Sequence, residues 1–259
     1  MSAPASTRPH DLLVVGAGLA GSELALTCAR AGLDVLLVTT SLDTVCNLFG
    51  DGASLRPPPG TVLAELVAGL LEAQEAQLQP DGSVYVGAWA LHRRAKWALE
   101  THPKLHLLQS SVSALKLEAG RVVGVATWEG VDRLARCVAL CAGSFLGARL
   151  RVGELTEAAG RLSEMAYDEL FSDLRARGVA FERTERAAPA SSGALPYTVS
   201  FHHLSAAAWD PETFAVPALP GLYAAGVCAV GELGYEAAAE QGRALAERLV
   251  VRLHPAGPR

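Results

Sequence analysis

No stretch of this chain holds the roughly 20 consecutive apolar residues that a membrane-crossing helix needs, although apolar residues make up 50% of it. The apolar content is therefore assigned to a packed core, and no membrane partner is expected. Positive charge is also short: 22 Lys and Arg stand against 27 Asp and Glu, a net charge of −5. A chain that grips nucleic acid through its surface field carries a basic surplus or stripe, and none dominates here. The local basic group His92-Arg93-Arg94 with Lys96 reads as the solvated face of a helix whose other face carries Trp89, Trp97 and Leu99. The five cysteines, Cys28, Cys46, Cys137, Cys141 and Cys228, are odd in number and lack close metal-ligand spacing. That argues against a disulfide framework and leaves free thiols in a cytoplasmic chain. His202 and His203 are adjacent, so on a strand they point to opposite faces, and no third ligand lies nearby; no metal is expected. The opening MSAPASTRPH has no apolar run of a secretion signal, and residues 1–10 are expected to form a mobile tail.

What is present is an alternation of short apolar runs and helical patterns, the mark of an α/β sheet. Strands are predicted at Leu12–Val15, Asp34–Val38, Lys104–Gln109, Val138–Gly143 and Leu222–Ala225, and helices at Ala20–Ala31, from Thr61, at Gly87–Thr101 and at Tyr235–Leu249. The stretch from Thr39 to Gly60 is poorly periodic and reads as a loop. Val112–Leu117, Arg121–Trp128 and Val131–Cys137 read as a β-meander, turned by Ala119-Gly120 and Glu129-Gly130. Residues 151–218 hold a helix ending before Gly178 and then a segment rich in Ala, Pro and Ser. Residues 11–150 and 219–253 are expected to form one binding domain, and 151–218 a small insertion that serves as a reduced cap.

Two glycine-rich signatures carry the chemistry. Asp11 to Gly21 reads DLLVVGAGLAG, a strand, a tight turn and a helix start. That unit seats a pyrophosphate on backbone N–H groups. Within Gly16-Ala17-Gly18-Leu19-Ala20-Gly21, Gly16 permits the turn, Gly18 lets the pyrophosphate approach, and Gly21 lets helix and strand pack closely. The second signature, Gly221 to Gly242, reads GLYAAGVCAVGELGYEAAAEQG near the other end of the chain. Nicotinamide dehydrogenases usually need only the first, whereas two-signature flavoproteins bring the chain back to hold the flavin. The fold class that follows is a doubly wound, Rossmann-like FAD/NAD(P)-binding α/β domain of the two-dinucleotide-binding flavoprotein type, with FAD as the leading ligand.

Other candidate binding residues follow from position. The second strand ends at Thr39 and Thr40 where an acid normally meets the ribose; a hydroxyl makes the weaker bond. Val112 stands where a main-chain group can meet the adenine, and Ala142-Gly143 where backbone passes close to a dinucleotide. Gly226 turns after the last strand, followed by Val227 in place of the aspartate common there. Gly234-Tyr235-Glu236-Ala237 opens the final helix, whose free N–H groups suit the flavin edge where negative charge develops on reduction. Cys46, in the loop, is the candidate nucleophile or redox thiol; Cys228 is a weaker one, and Asp51 and Glu232 are candidate proton donors.

The runs GAGLAGSELAL, SLDTVCNL, VALCAGSFLGARLRVGE and GYEAAAEQG resemble the glucose-inhibited division protein A family. The resemblance implies an FAD protein related to enzymes that modify the wobble uridine of tRNA, with a folate-dependent methyltransferase among its relatives. It implies departures from the common fingerprint at Thr39 and Val227, and a loop cysteine in a Ser-Cys-Asn-Pro setting, near which Cys46-Asn47-Leu48 stands. Long members of that family add an inserted domain and a C-terminal helical region for tRNA and a GTPase partner, which this shorter chain is expected to lack. The expected function is a flavin-dependent oxidoreductase acting on a small-molecule substrate, with NAD(P)H as a transient electron donor docking on the flavin face. A flavin-binding subunit serving an unknown protein partner, and a nicotinamide-dependent dehydrogenase, stay open as alternatives, and tRNA stays a partner implied by family but not by charge.

Overall fold

The computed structural model describes residues 8–188 and 196–254. Leu12–Val15 is apolar and buried at every position, as a strand covered on both faces must be. It pairs in parallel with Val35–Thr39 on one side and Val138–Leu140 on the other. Leu105–Gln109 and Leu222–Ala224 complete a five-stranded parallel sheet in the order Leu222–Ala224, Val138–Leu140, Leu12–Val15, Val35–Thr39, Leu105–Gln109.

Alternation along the strands sorts the core into two layers. Leu12 and Val14 face the helices α1 (Leu19–Arg30), α2 (Val62–Glu72) and α3 (Ala88–Glu100). Leu13 and Val15 face Val112, Leu115, Val122 and Val125 of the meander, built by Val112–Glu118, Arg121–Thr127 and Asp132–Leu134. Leu170 and Leu174 of α4 (Asp168–Ala176) join that second layer. After the short α5 (Val227–Val230), the closing helix α6 (Tyr235–Leu253) lies against α1. Gly242 permits this contact, because a Cβ there would press on the Ala20 carbonyl and stand 2.9 Å from Glu23 Cβ. Glu23 in turn reaches from α1 to α2, accepting the Val62 and Leu63 N–H groups at 2.8 and 3.1 Å.

The doubly wound domain, its five parallel strands and its meander match the sequence reading. Other elements differ. The expected loop before Gly60 contains the strand Gly52–Leu55, which joins Val84–Gly87 and Ala76–Leu78 in a small antiparallel sheet. Residues 149–204 hold a four-stranded antiparallel sheet, in the order Leu155–Glu157, Arg149–Val152, Thr198–Leu204, Phe181–Ala187, that periodicity did not reveal. Part of the Ala-, Pro- and Ser-rich segment, residues 189–195, lies outside the described residues. So do residues 1–7 of the expected tail, but His10 is tied down: it bridges to Ala135 and its Nδ1 lies 2.6 Å from Asp34. Helix α3 departs from expectation in part: Arg93 is exposed and Leu99 buried as expected, but His92 is buried and the two indoles are not. Leu91, His92, Ala95 and Leu99 are buried, while Trp89 and Trp97 are 69% and 67% exposed. The Leu91/Ala95/Leu99 stripe sets the buried face, and His92 is accommodated there by a 2.9 Å hydrogen bond to the Val45 carbonyl.

Candidate dinucleotide-binding cleft

The chain runs from Leu12–Val15 outward to one side of the sheet, then returns to the other side at Val138–Leu140. This reversal opens a crevice at the carboxyl ends of the two strands, the place where α/β sheets take ligands. Gly16 begins it at φ +103°, and a Cβ there would run into the Cys141 carbonyl, so only glycine makes this turn. Gly21 sits against the Gly16 carbonyl in the same way. Gly18 is different. It has an ordinary extended backbone (φ −70°, ψ −175°), is exposed, and a Cβ there would meet nothing within 4 Å.

Gly18 also caps α1, which has no side-chain cap and no acid in its first turn. Its leading N–H groups thus open toward the crevice without an internal partner. Thr39 and Thr40 stand on one wall, and Ala142 and Gly143 on the other. Gly226, at φ +81° and ψ −160°, is held by a 2.8 Å bond from its N–H to Gln241 Oε1. At the far end α6 starts from Gly234, again without a side-chain cap. The cleft encloses about 920 Å³, counting its open mouth.

The structure brings together most residues expected from sequence. Gly16, Ala17, Gly18, Leu19, Ala20, Thr39, Thr40, Ala142, Gly143, Gly226, Val227, Gly234 and Tyr235 all line this cleft. Gly21, Val112, Glu236 and Ala237 do not. Gly21 packs beneath the turn, Val112 is buried in the meander layer, and Glu236 accepts the Arg56 N–H at 2.9 Å.

Cys46 requires a correction. Its backbone, at φ +49°, folds under the start of α1, where its N–H bonds to the Ala17 carbonyl at 2.9 Å. The side chain is 2% exposed, lines a different crevice with Leu63, Leu66 and Leu99, and is absent from the cleft lining. Burial pushes its thiol up to about 12, so it carries no nucleophilic thiolate near neutral pH. Cys228 is likewise buried and held up to about 12 by burial. Glu232 is exposed and outside the cleft lining, and Asp51 is exposed as well.

The sequence reading missed a charged cluster at the α6 end. Arg161 and Arg186 lie over the Phe49 ring at 4.1 and 4.6 Å from its centroid. The Phe49 N–H donates to the Tyr235 hydroxyl at 2.8 Å. Thr44 donates to Glu164 at 2.8 Å, and burial lifts that carboxyl above its ordinary range against the pull of Arg161. Tyr167, fully enclosed, completes the wall, its hydroxyl raised by burial and partly offset by bonds with Thr40. Phe49, Arg161, Glu164, Tyr167 and Arg186 belong to none of the motifs; the charged side chains in an otherwise irregular segment are the trace they leave in sequence.

A His10–Asp34–His106 group, whose ligand atoms lie within 4.8 Å of one another, stands at the opposite, amino ends of the strands. Its hydrogen bonds at 2.6 and 2.9 Å account for the arrangement. No described helix is long and apolar enough to cross a membrane.

The family model described as glucose inhibited division protein A matches residues 11–195. The chain belongs to that family. A tRNA uridine 5-carboxymethylaminomethyl modification enzyme from Chlamydia caviae is 31% identical over 196 residues, covering 70% of this chain and 32% of the relative. One from Bacteroides fragilis is 29% identical over 202 residues, again 70% of this chain and 31% of the relative. The chain thus spans about a third of the length of these curated relatives. Among solved structures, a GidA-related protein from Thermus thermophilus is 38% identical, with a TM-score of 0.81 over 95% of this chain and 100% of that one. Aquifex aeolicus GidA shares the fold at 16% identity, with a TM-score of 0.81 over 96% of this chain and 64% of that one. The Thermus thermophilus protein is thus of nearly the same extent as this chain.

Proposed function

We propose that this family member binds FAD along the cleft and works as a flavin-dependent oxidoreductase. The observation that carries the reading is a pair of uncapped helix N-termini opening on one cleft, with the backbone left bare at Gly18 beside the first. The pyrophosphate belongs at the α1 end, where leading N–H groups and the positive helix end favour an anion. Thr39 and Thr40 would bond the adenosine ribose through their hydroxyl oxygens. The flavin belongs at the α6 end, between Gly226 and the start of α6. Bound there, FAD supplies hydride or electron transfer. The α6 N–H groups favour the negative charge that reduction places on the ring, without reorganising.

In this reading residues 11–150 and 219–253 hold the cofactor and residues 151–218 cover its reactive end. Arg161, Glu164 and Arg186 come from that covering segment, which gives it a part in substrate selection. NAD(P)H is proposed as the donor, docking transiently. The five cysteines are all free and buried, which suits a reducing compartment.

The tRNA-modifying activity of the Chlamydia and Bacteroides relatives belongs to proteins roughly two and a half times as long. A second reading is a flavin-binding subunit that turns over only with a partner. Anaerobic mixing of the FAD-loaded protein with NADH or NADPH separates the two. Bleaching within seconds supports an autonomous reductase, and an unchanged flavin spectrum refutes NAD(P)H as direct donor and favours the subunit. Direct action on tRNA is tested by filter binding at physiological salt, where no retention above an acidic control protein removes it.

A further inference from the structure

We infer that Arg161 and Arg186 form an anion subsite at the α6 end of the cleft, which seats a carboxylate or phosphate group of the substrate. The inference rests on the flavin reading for its location, and it assigns the substrate class. Arg161 arrives on the short strand Ala159–Arg161 and Arg186 on Phe181–Ala187, so two separate strands of the covering segment deliver like charges to one place. Both guanidinium carbons lie within 4.6 Å of the Phe49 centroid. Stacking on an aromatic face satisfies the flat side of a guanidinium and leaves its N–H edge for a ligand.

The protein does little to neutralise this pair. Arg161 makes one long hydrogen bond, to the Leu48 carbonyl at 3.4 Å. Glu164, the acid with which it interacts, accepts its hydrogen bond from Thr44, and neither arginine forms an ion pair within 4.0 Å among the described residues. Burial drags the Arg161 guanidinium below its usual range, and the neighbouring Arg186 charge adds to that. Two cations held together in the cleft wall, with Glu164 acting on Arg161 and no ion pair to either arginine among the described residues, leave an excess positive charge facing the cleft. Burying such charge is costly unless an anion completes it. A planar guanidinium fork matches the two oxygens of a carboxylate or phosphate, which is why arginine suits this task better than lysine. Both arginines line the cleft itself, as does Tyr235 at the start of α6. The anionic group of the substrate would therefore be anchored beside the flavin end.

The test uses the oxidised, FAD-loaded protein titrated separately with benzoate and inorganic phosphate, read by the change in flavin absorbance. A saturable change with one probe is expected, and which probe binds tells carboxylate from phosphate. Arg186→Gln and Arg161→Gln should each weaken it about tenfold to a hundredfold at unchanged FAD content, as loss of a charge-assisted bond does. Arg161→Lys, which keeps the charge and guards against a misfolded variant, should fall between. Affinity within about twofold of the parent in both Gln variants overturns the subsite, as does absence of saturation by either probe. Loss of FAD in step with loss of the probe also overturns it, because the arginines then hold the cofactor. If the parent takes up no FAD, the flavin reading fails on its own. Calorimetry of the same probes on the FAD-free protein then decides the subsite by the same tenfold criterion.

Discussion

Replacing Gly18 with alanine separates ligand approach from folding more cleanly than any other change in the cleft. The backbone at Gly18 is already extended, and the added methyl would meet nothing within 4 Å. Alanine is a poorer N-cap than glycine by up to about 1 kcal/mol, and loss of unfolded-chain freedom returns about 0.4–1 kcal/mol. Net stability of the FAD-free protein should therefore stay within about 1 kcal/mol, a shift of no more than roughly 2–4 °C in melting temperature for a domain of this size. The methyl would stand where a pyrophosphate must approach the α1 N–H groups. Displacing two charge-assisted hydrogen bonds, each worth about 1.5–3 kcal/mol, costs at least about 3 kcal/mol, or roughly 100-fold in Kd. Gly16→Ala is the contrast: at φ +103° its Cβ runs into the Cys141 carbonyl, so it should damage folding and binding together. The assay is calorimetric titration of FAD beside urea unfolding of the FAD-free variants. FAD binding by Gly18→Ala within about threefold of the parent refutes the placement of the pyrophosphate.

Cys46→Ala should leave FAD affinity and the rate of flavin reduction within about twofold of the parent, because the thiol is walled off from the cleft; a loss above tenfold in anaerobic stopped flow would restore it to the chemistry. Glu23→Ala should cost about 2–4 kcal/mol in urea unfolding, since it strands the buried Val62 and Leu63 N–H groups. The same carboxyl carries a pH signature: burial raises it against the bonds from those two N–H groups, so the folded state resists its ionisation. Its contribution is fullest below the unfolded carboxylate value near pH 4, and declines as pH rises through the raised folded value. Compared with Glu23→Gln, the parent should lose stability across that window, and parallel pH profiles of the two would contradict it.

The sheet was legible because its signals are local. Leu12–Val15 and Val138–Leu140 are short, fully apolar runs ending in small residues, and Gly16 to Gly21 fixes strand, turn and helix within a few positions. The covering sheet was not legible, because Arg149–Val152 and Leu155–Glu157 are four- and three-residue strands with exposed, mixed residues. The pairing of Arg149–Val152 with Thr198–Leu204 is decided by contacts roughly fifty residues away along the chain. Arg161 and Arg186 were invisible for the same reason. Helix α3 misled by size: Trp89 and Trp97 are larger than Leu91 and Ala95, yet the continuous aliphatic stripe takes the core and leaves the indoles outside. Cys46 misled by topology. Loop position put it near the ligand, but its bond to the Ala17 carbonyl turns the side chain beneath α1 instead.

The central claim is that the cleft between the starts of α1 and α6 holds FAD. The direct measurement is the visible spectrum and FAD content of the purified protein after incubation with excess FAD and gel filtration. The account predicts about one FAD retained per chain, with flavin bands perturbed from those of free FAD. A colourless protein that retains no FAD, while folded by circular dichroism, would contradict it.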